Sequence, residues 1–576
     1  MRIVVARRIS QAFFVLLFLW FCLVATVGDA FWQLRGWPIN WILSLDPLTA
    51  LGVVLTTRTL YAPLLWAVLV LAATFFLGRF FCGFACPLGA LNQLAGWLTR
   101  RRLPTAARVA DNAPGKARGV KYVLLAFFLG AAALGSLQTG LLDPLPLVFR
   151  SVNLAVLPLV DPGRFGIHGE GRFYDGAWVF GLILLAILCA NAWRPRFFCR
   201  YLCPLGALFG LAVRFTPWRI GKADAKACGT CRRCEEYCEG GCRPSGELVL
   251  SECVLCMNCL DACPTGRIGF AARPSACGER ALPDLSRRGV LAALAAGALA
   301  APLWRVGGAS ALGRDPALIR PPGSLDEERF LARCIRCGQC MRVCPSAVIQ
   351  PAVTAAGAAG LWTPTLNYRL GRAGCLQNCI ACGQVCPTAA IRPFPLDEKL
   401  GRGQYAAAGP LRLGTAFVDR TRCLPWAMGR PCIVCQEVCP VSPKAITVGT
   451  VLEPVPGGAV SVSDAKGAAL TLAGAPVTGR NLGSGDYFLR GAGLSDDTAR
   501  RIVSHSGANL ALEKPLPDLG QGRRAEIVVR LQQPHVDPTR CVGCGMCEHE
   551  CPVSGLRAIR VTSENESRSG PGRMLA

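Results

Sequence analysis

The chain has 576 residues, 52% of them hydrophobic, and 62 lysines and arginines against 37 aspartates and glutamates give it a net charge of +25. Its length allows three or four domains. The apolar content places part of it in a bilayer, and because the arginines cluster beside apolar segments, the charge reads as membrane-flanking and not as a nucleic-acid surface. Thirty-two cysteines in so long a chain exclude a small disulfide scaffold, and four histidines without a C-x-x-C-H exclude covalent haem and leave a membrane haem without ligands.

In chain order, four apolar stretches come first, at about residues 11–31, 60–81, 120–140 and 176–193. Each is near the length a helix needs to cross about 30 Å of hydrocarbon. A fifth patch around 145–160 is broken by Pro146, Arg150 and Pro158 and reads as an interfacial segment. Arg2, Arg7 and Arg8, then Arg79, Arg100, Arg101, Arg102, Arg108, Lys116, Arg118 and Lys121, then Arg194, Arg196, Arg200, Arg214 and Arg219 mark the cytoplasmic side. Residues 32–59 and 141–175 are then expected outside.

The decapeptide FCGFACPLGA at 81–90 returns as FCRYLCPLGA at 198–207, so both copies fall at the cytoplasmic face. On a helix, Cys82 and Cys86, and likewise Cys199 and Cys203, would share a face with Cα atoms about 6 Å apart, within disulfide range. Three readings stay open: a redox-active dithiol in each copy, four thiolates holding a metal or a further cluster, or a helix-ending turn with buried thiols.

Beyond the helices come six cysteine blocks. Cys228, Cys231, Cys234 and Cys238 are followed by Cys253, Cys256, Cys259 and Cys263; then come Cys334, Cys337, Cys340 and Cys344, and Cys375, Cys379, Cys382 and Cys386. Cys423, Cys432, Cys435 and Cys439, with a long first gap, and Cys541, Cys544, Cys547 and Cys551 close the set. C-x2-C-x2-C-x3-C-P is the bacterial ferredoxin spacing for [4Fe–4S] clusters, in which the fourth cysteine ligates the neighbouring cluster. A zinc knuckle would need two C-x2-C pairs set a dozen or more residues apart. Cross-ligation predicts Cys228, Cys231 and Cys234 with Cys263; Cys253, Cys256 and Cys259 with Cys238; and Cys334, Cys337 and Cys340 with Cys386. It further predicts Cys375, Cys379 and Cys382 with Cys344; Cys423, Cys432 and Cys435 with Cys551; and Cys541, Cys544 and Cys547 with Cys439. The first block has Glu239 where the others have proline, and Cys242 follows closely, which leaves its fourth ligand open. Cys22 and Cys189 read as core residues, and Cys277 is unassigned.

Between the second and third blocks, SRRGVLAALAAGALAAPLW (286–304) has twin arginines before a short apolar run, the pattern of an export signal, with Ala309-Ser310-Ala311 as a possible cleavage site; an ordinary fifth span is the other reading. Either way residues 305–576 are expected outside. Alternating runs within 452–535 suggest short strands.

The expected architecture is multidomain. An α-helical membrane domain with four spans covers 1–220, a cytoplasmic two-cluster ferredoxin domain 221–280, and a signal or anchor segment 281–311. A periplasmic four-cluster domain covers 312–576, with an insertion at about 450–535, and all the cluster modules are expected to be α+β ferredoxin-like.

The first 280 residues resemble the NapH-type membrane ferredoxins of periplasmic nitrate reduction. On the strength of SRRGVL, CIRCGQCMRVCP, RCLPWAMGRPCIVCQEVCPVSPKAI and CVGCGMCEHECPVSGLRAI, residues 286–576 resemble the exported NapG/MauM-type ferredoxins. The chain thus looks like a fusion of the two. The resemblance implies a multi-pass protein of the bacterial inner membrane carrying six [4Fe–4S] clusters and no haem. It would pass electrons from quinol to a periplasmic reductase or carrier, with a further membrane redox subunit as a possible partner and no nucleic acid. An assembly factor that reduces a metalloenzyme during its maturation is the competing reading, and a redox-responsive regulator the weakest. Proton acceptance from quinol would fall to Asp143, Asp161, His168 or Glu170.

Overall fold

The apolar runs at the front of the chain become helices, but shorter ones than expected. The computed structural model describes residues 3–25, 40–113, 116–160, 172–225, 228, 231–282, 286–306, 317–474, 480–516 and 524–569. Helix α1 (Ile3–Val24) is, among the described residues, the one helix long and apolar enough to cross a membrane. Four full-length spans are therefore not found. The run at 60–81 yields a 3-10 turn around Pro63 and then α3 (Trp66–Leu77), which stops at Gly78 with φ 80°. Helix α5 (Val120–Ala133) unwinds before Gly135, and α7 (Ala177–Cys189) tightens into a 3-10 turn where Asn191 donates back to the Ile187 and Leu188 carbonyls.

Two stretches expected on the outer side of the membrane contain buried helices. Helix α2 (Pro47–Thr57) and α6 (Pro144–Ser151) both begin with Asp-Pro-Leu, aspartate at the N-cap and proline at the first helical position. Leu48, Leu145, Leu147, Val148 and Phe149 are at most 1% exposed. The patch at 145–160 is thus core over its first part, whereas Leu159 and Val160 at its end are exposed.

Contacts divide the chain into two units, Met1–Gly371 with Asn378–Leu411, and Arg372–Gln377 with Arg412–Ala576. In the first unit the helices have two differently occupied ends. At one end, Arg7, Arg79, Lys121 and Arg200 bind Glu239, Ser251, Glu252 and Glu239 of the 219–280 module. At the other, Thr56 donates to the Ala332 carbonyl, Arg336 to that of Leu137, and Tyr174 to that of Met341. The 219–280 module is built on an antiparallel pair, Arg219–Lys222 with Ile268–Ala271, and the short helices Arg233–Glu236 and Asn258–Ala262. The later part of the unit pairs Ile349–Pro351 with Pro364–Leu366. The signal-like segment forms a 20-residue helix, α9 (Arg287–Val306), lying along α5. A Cβ at Gly297 would run into the Phe127 carbonyl, one at Gly130 into that of Leu294, and Phe127 packs edge-on against Trp304. The cleavage motif at 309–311 lies outside the described residues.

The second unit holds the last two complete cysteine blocks beside an antiparallel pair, Thr415–Val418 with Ile559–Thr562. Between the blocks, the expected scatter of short strands is a closed six-stranded barrel. Strands β1 (Ile446–Lys466), β2 (Ala469–Leu472), β3 (Tyr487–Gly491), β4 (Arg500–Ser506), β5 (Asn509–Leu512) and β6 (Arg524–Val536) close in the order β3–β4–β5–β2–β1–β6. Alternate residues such as Leu470 and Leu472, Leu510 and Leu512, and Ile527, Val529 and Leu531 fill its interior.

Candidate metal centres

Short helices and turns gather the cysteines in groups. Cys334, Cys337 and Cys340 each lie within electrostatic reach of Cys386. Cys423, Cys432 and Cys435 do so with Cys551, and Cys541, Cys544 and Cys547 with Cys439. One cavity is lined by Cys423, Cys432, Cys435 and Cys551 with apolar walls from Val418 and Ile559. A roomier one is lined by Cys228, Cys231, Cys234 and Cys263 with Lys222 and Arg267. Four thiols with no harder ligand suit iron–sulfur chemistry. Among the described residues no group of three or more His, Cys, Asp or Glu converges on a single-ion position. Cys375 falls in the second unit, where its N–H donates to the Cys544 carbonyl (2.7 Å), whereas Cys379, Cys382 and Cys386 fall in the first with Cys344.

The block lacking its proline has a local explanation. Glu239 takes the proline's place to pair with two buried guanidiniums, Arg196 at 2.7 Å and Arg7 at 3.4 Å, and it accepts from Asn258 at 3.0 Å. Burial alone would raise the Glu239 pKa, but Arg196 and Arg7 outweigh it and hold the carboxyl below its ordinary value. At the same spot Cys238 and Cys242 lie 3.5 Å apart, sulfur to sulfur, and both neighbour Cys253. Hydrogen bonding from Cys242, helped by the Arg200 guanidinium against the cost of burial, pulls Cys238 down to about 6, while Cys242 goes up. Either sulfur can be the donor in this contact, so Cys238 and Cys242 both stand as candidates for the fourth ligand of the block.

The repeated decapeptides are brought face to face. Cys82 lies on a short helix, Phe80–Phe84, and Cys86 caps α4 (Pro87–Arg100), its sulfur accepting from the Gly89 N–H at 3.4 Å. The second copy repeats this: Cys199 on Phe197–Tyr201, and Cys203 capping α8 (Pro204–Ala212) with the Gly206 N–H at 3.2 Å. Cys86, Cys199 and Cys203 are all within electrostatic reach of Cys82.

Of the four proton-acceptor candidates, Asp161, His168 and Glu170 lie outside the described residues. Asp143 is fully buried, and neither of its carboxyl oxygens has a hydrogen-bond partner among the described residues; the equally buried Asp46 lies within electrostatic reach of it. Asp46 also accepts from the Leu48 N–H at 3.0 Å and the Thr49 hydroxyl at 3.3 Å. Sequence reasoning missed Asp46, and the repeated Leu-Asp-Pro-Leu at 45–48 and 142–145 was the signal that could have found it.

These thiol groups on short helices define an iron–sulfur protein of the ferredoxin type. Comparison with known proteins agrees. A family model described as a 4Fe-4S binding domain matches residues 59–105 and 174–223, and a second of the same description matches 330–350 and 534–557. The ferredoxin-type protein NapH of Haemophilus influenzae is 28% identical over 37% of this chain and 69% of its own length. The ferredoxin-type protein NapG of Escherichia coli is 36% identical over 23% of this chain and 51% of its own. Protein NirI of Paracoccus denitrificans is 34% identical over 34% of this chain, which spans only 26% of that relative. No solved structure matches. The chain joins a NapH-like and a NapG-like ferredoxin stretch in one polypeptide and carries the cysteine sets of iron–sulfur cluster binding.

Proposed function

We propose that this protein is embedded in the bacterial inner membrane, oxidises quinol, and conducts the electrons through six [4Fe–4S] clusters to a periplasmic reductase such as a nitrate reductase. The observation that carries the reading is the helical unit with a cysteine-rich module at each end. Its surface supports membrane embedding: Phe13, Leu16, Val68, Leu69, Phe76, Leu185, Leu299 and Leu303 point outward more than half exposed, while Arg7, Arg79 and Arg196 are buried. That is the reverse of a water-soluble surface. The distribution of basic residues favours a cytoplasmic 219–280 module and periplasmic later modules. The packing of α9 on α5 supports retention of this segment as part of the fold rather than its removal as a signal.

When bound, iron–sulfur clusters supply one-electron redox chemistry. The cysteine groups hold them, and the surrounding arginines and N–H groups tune them. Asp143 and Asp46 form a buried carboxyl pair, and the unpartnered oxygens of Asp143 can take up a proton that quinol releases.

A deletion strain tests the reading against the maturation alternative. If the protein conducts respiratory electrons, nitrate-dependent electron flow from quinol stops while the terminal reductase stays active with an artificial donor. A terminal reductase made inactive by the deletion would instead favour a maturation role.

A further inference from the structure

We propose that Cys82, Cys86, Cys199 and Cys203 together hold one further iron–sulfur cluster, shared by the two repeats and lying against the Cys253–Cys263 block. The inference rests on the chain being an electron carrier, and it does not depend on quinol as the donor.

Three observations carry it. First, the repeats interlock reciprocally, each with an arginine three residues before its first cysteine. Arg196 Nη1 donates to the Cys82 carbonyl at 3.1 Å, across from its own copy. Arg79 Nη2 stands 2.8 Å from where a Cβ on Gly206 would sit, against Cys203 of the other copy. Gly89 and Gly206 leave that space free, since a Cβ on Gly89 would approach the Cys82 carbonyl to 2.7 Å. Such crossing makes one site from two halves.

Second, the sulfurs are provided with donors. Cys86 and Cys203 accept N–H groups at the starts of α4 and α8, and Asn92 Nδ2 lies 3.7 Å from the Cys199 sulfur. Amide donors and helix starts of this kind favour thiolates over thiols and are used by cluster sites.

Third, the charge needs a partner. Arg79 is 1% exposed and makes no ion pair with a carboxylate among the described residues; its Nη1 donates to the Ser251 carbonyl at 2.6 Å. Its Nε has no hydrogen-bond partner. Glu252 offers Arg79 an electrostatic counter-charge but is itself paired with Lys121 at 2.7 Å, and a buried cation only partly compensated is costly. Neutral thiols or two disulfides would leave that cost standing, whereas four thiolates around an iron–sulfur core carry net negative charge and offset it. The site also touches its neighbour directly, because a Cβ at Gly83 would run into the Val254 carbonyl of the Cys253–Cys256 loop.

In operation one electron enters from a reduced neighbouring cluster and one leaves to an oxidised one, with no bond made or broken and no proton moved. The test uses anaerobically purified, reconstituted full-length protein, with iron and acid-labile sulfide counted per chain and reduced EPR spectra recorded. Six [4Fe–4S] clusters account for about 24 irons, and the wild type is expected to exceed this by about two to four. C82S/C199S should lose that excess and one EPR signal while keeping the rest. R79Q should keep the iron but lower the midpoint potential of that signal, and R79K should restore it. A wild type holding no more than about 24 irons, or equal iron and sulfide in wild type and C82S/C199S, would overturn the proposal whatever the electron donor proves to be.

Discussion

Replacing Glu239 with proline restores the residue that follows the fourth cysteine in every other block, and the structure predicts that this apparent repair does damage. Glu239 is 14% exposed and is the carboxylate partner of Arg7 and Arg196, whose side chains are 0% and 1% exposed. Removing one partner of a buried ion pair costs about 3–5 kcal/mol, because the remaining charge stays buried without compensation. A unit of about 400 residues has an unfolding entropy of about 0.85 kcal/mol/K, or about 1.2 °C of melting temperature per kcal/mol, so E239P should melt about 4–6 °C below wild type. E239Q, which keeps the hydrogen bonds but not the charge, should fall between them. The pH dependence follows from the lowered carboxyl pKa. The stabilisation is fully present above the unfolded glutamate value of about 4.3 and is lost only as pH falls through the lower folded value, so the deficit should be constant from about pH 6 to 8. Thermal unfolding of the anaerobic full-length protein in detergent, followed by tryptophan fluorescence, measures it. An E239P protein as stable as wild type would refute the assignment of Glu239 as the counter-charge of Arg7 and Arg196.

Three further outcomes are expected. C238S should abolish the EPR signal of the Cys253–Cys256–Cys259 cluster, whereas C242S should keep the cluster and shift its potential, since Cys238 holds the fourth place of the cysteine spacing and Cys242 lies 3.5 Å from its sulfur; the reverse pattern would make Cys242 the ligand. Asp143→Asn should slow reduction of the clusters by a quinol analogue by about 100-fold or more, with dithionite reduction unchanged, and an unaltered quinol rate would remove Asp143 from the proton path. Gly297→Leu should drive a side chain into the Phe127 carbonyl and cost about 1–3 kcal/mol or more by overpacking, read as a lower melting temperature of the full-length protein; no change would mean that α9 does not pack on α5.

The cysteine blocks were legible because their spacing is itself the chemistry: three thiols on a tight loop and a fourth directed to a neighbour need no distant information. Helix extents were less legible. Hydropathy sees 60–81 as one run, but Pro63 and Gly78 cut the helix to 66–77, and a window average does not register such punctuation. Asp46 escaped notice because a lone aspartate before a proline reads as an ordinary N-cap, and its role depends on Asp143, 97 positions away in the repeat, meeting it inside the unit. Glu239 looked like a defect in a motif until its arginine partners, from α1 and from the turn before Cys199, were in place. The barrel at 446–536 was seen only as alternation, because closure depends on pairing β3 with β6 across an intervening sequence that carries no local mark of it.

The central claim, that quinol feeds this chain of clusters, is tested most directly by adding a reduced quinol analogue to the anaerobic, iron- and sulfide-replete full-length protein and following the visible iron–sulfur absorbance. The account predicts bleaching that D143N slows. No bleaching by quinol, with dithionite still reducing the clusters in full, would contradict it.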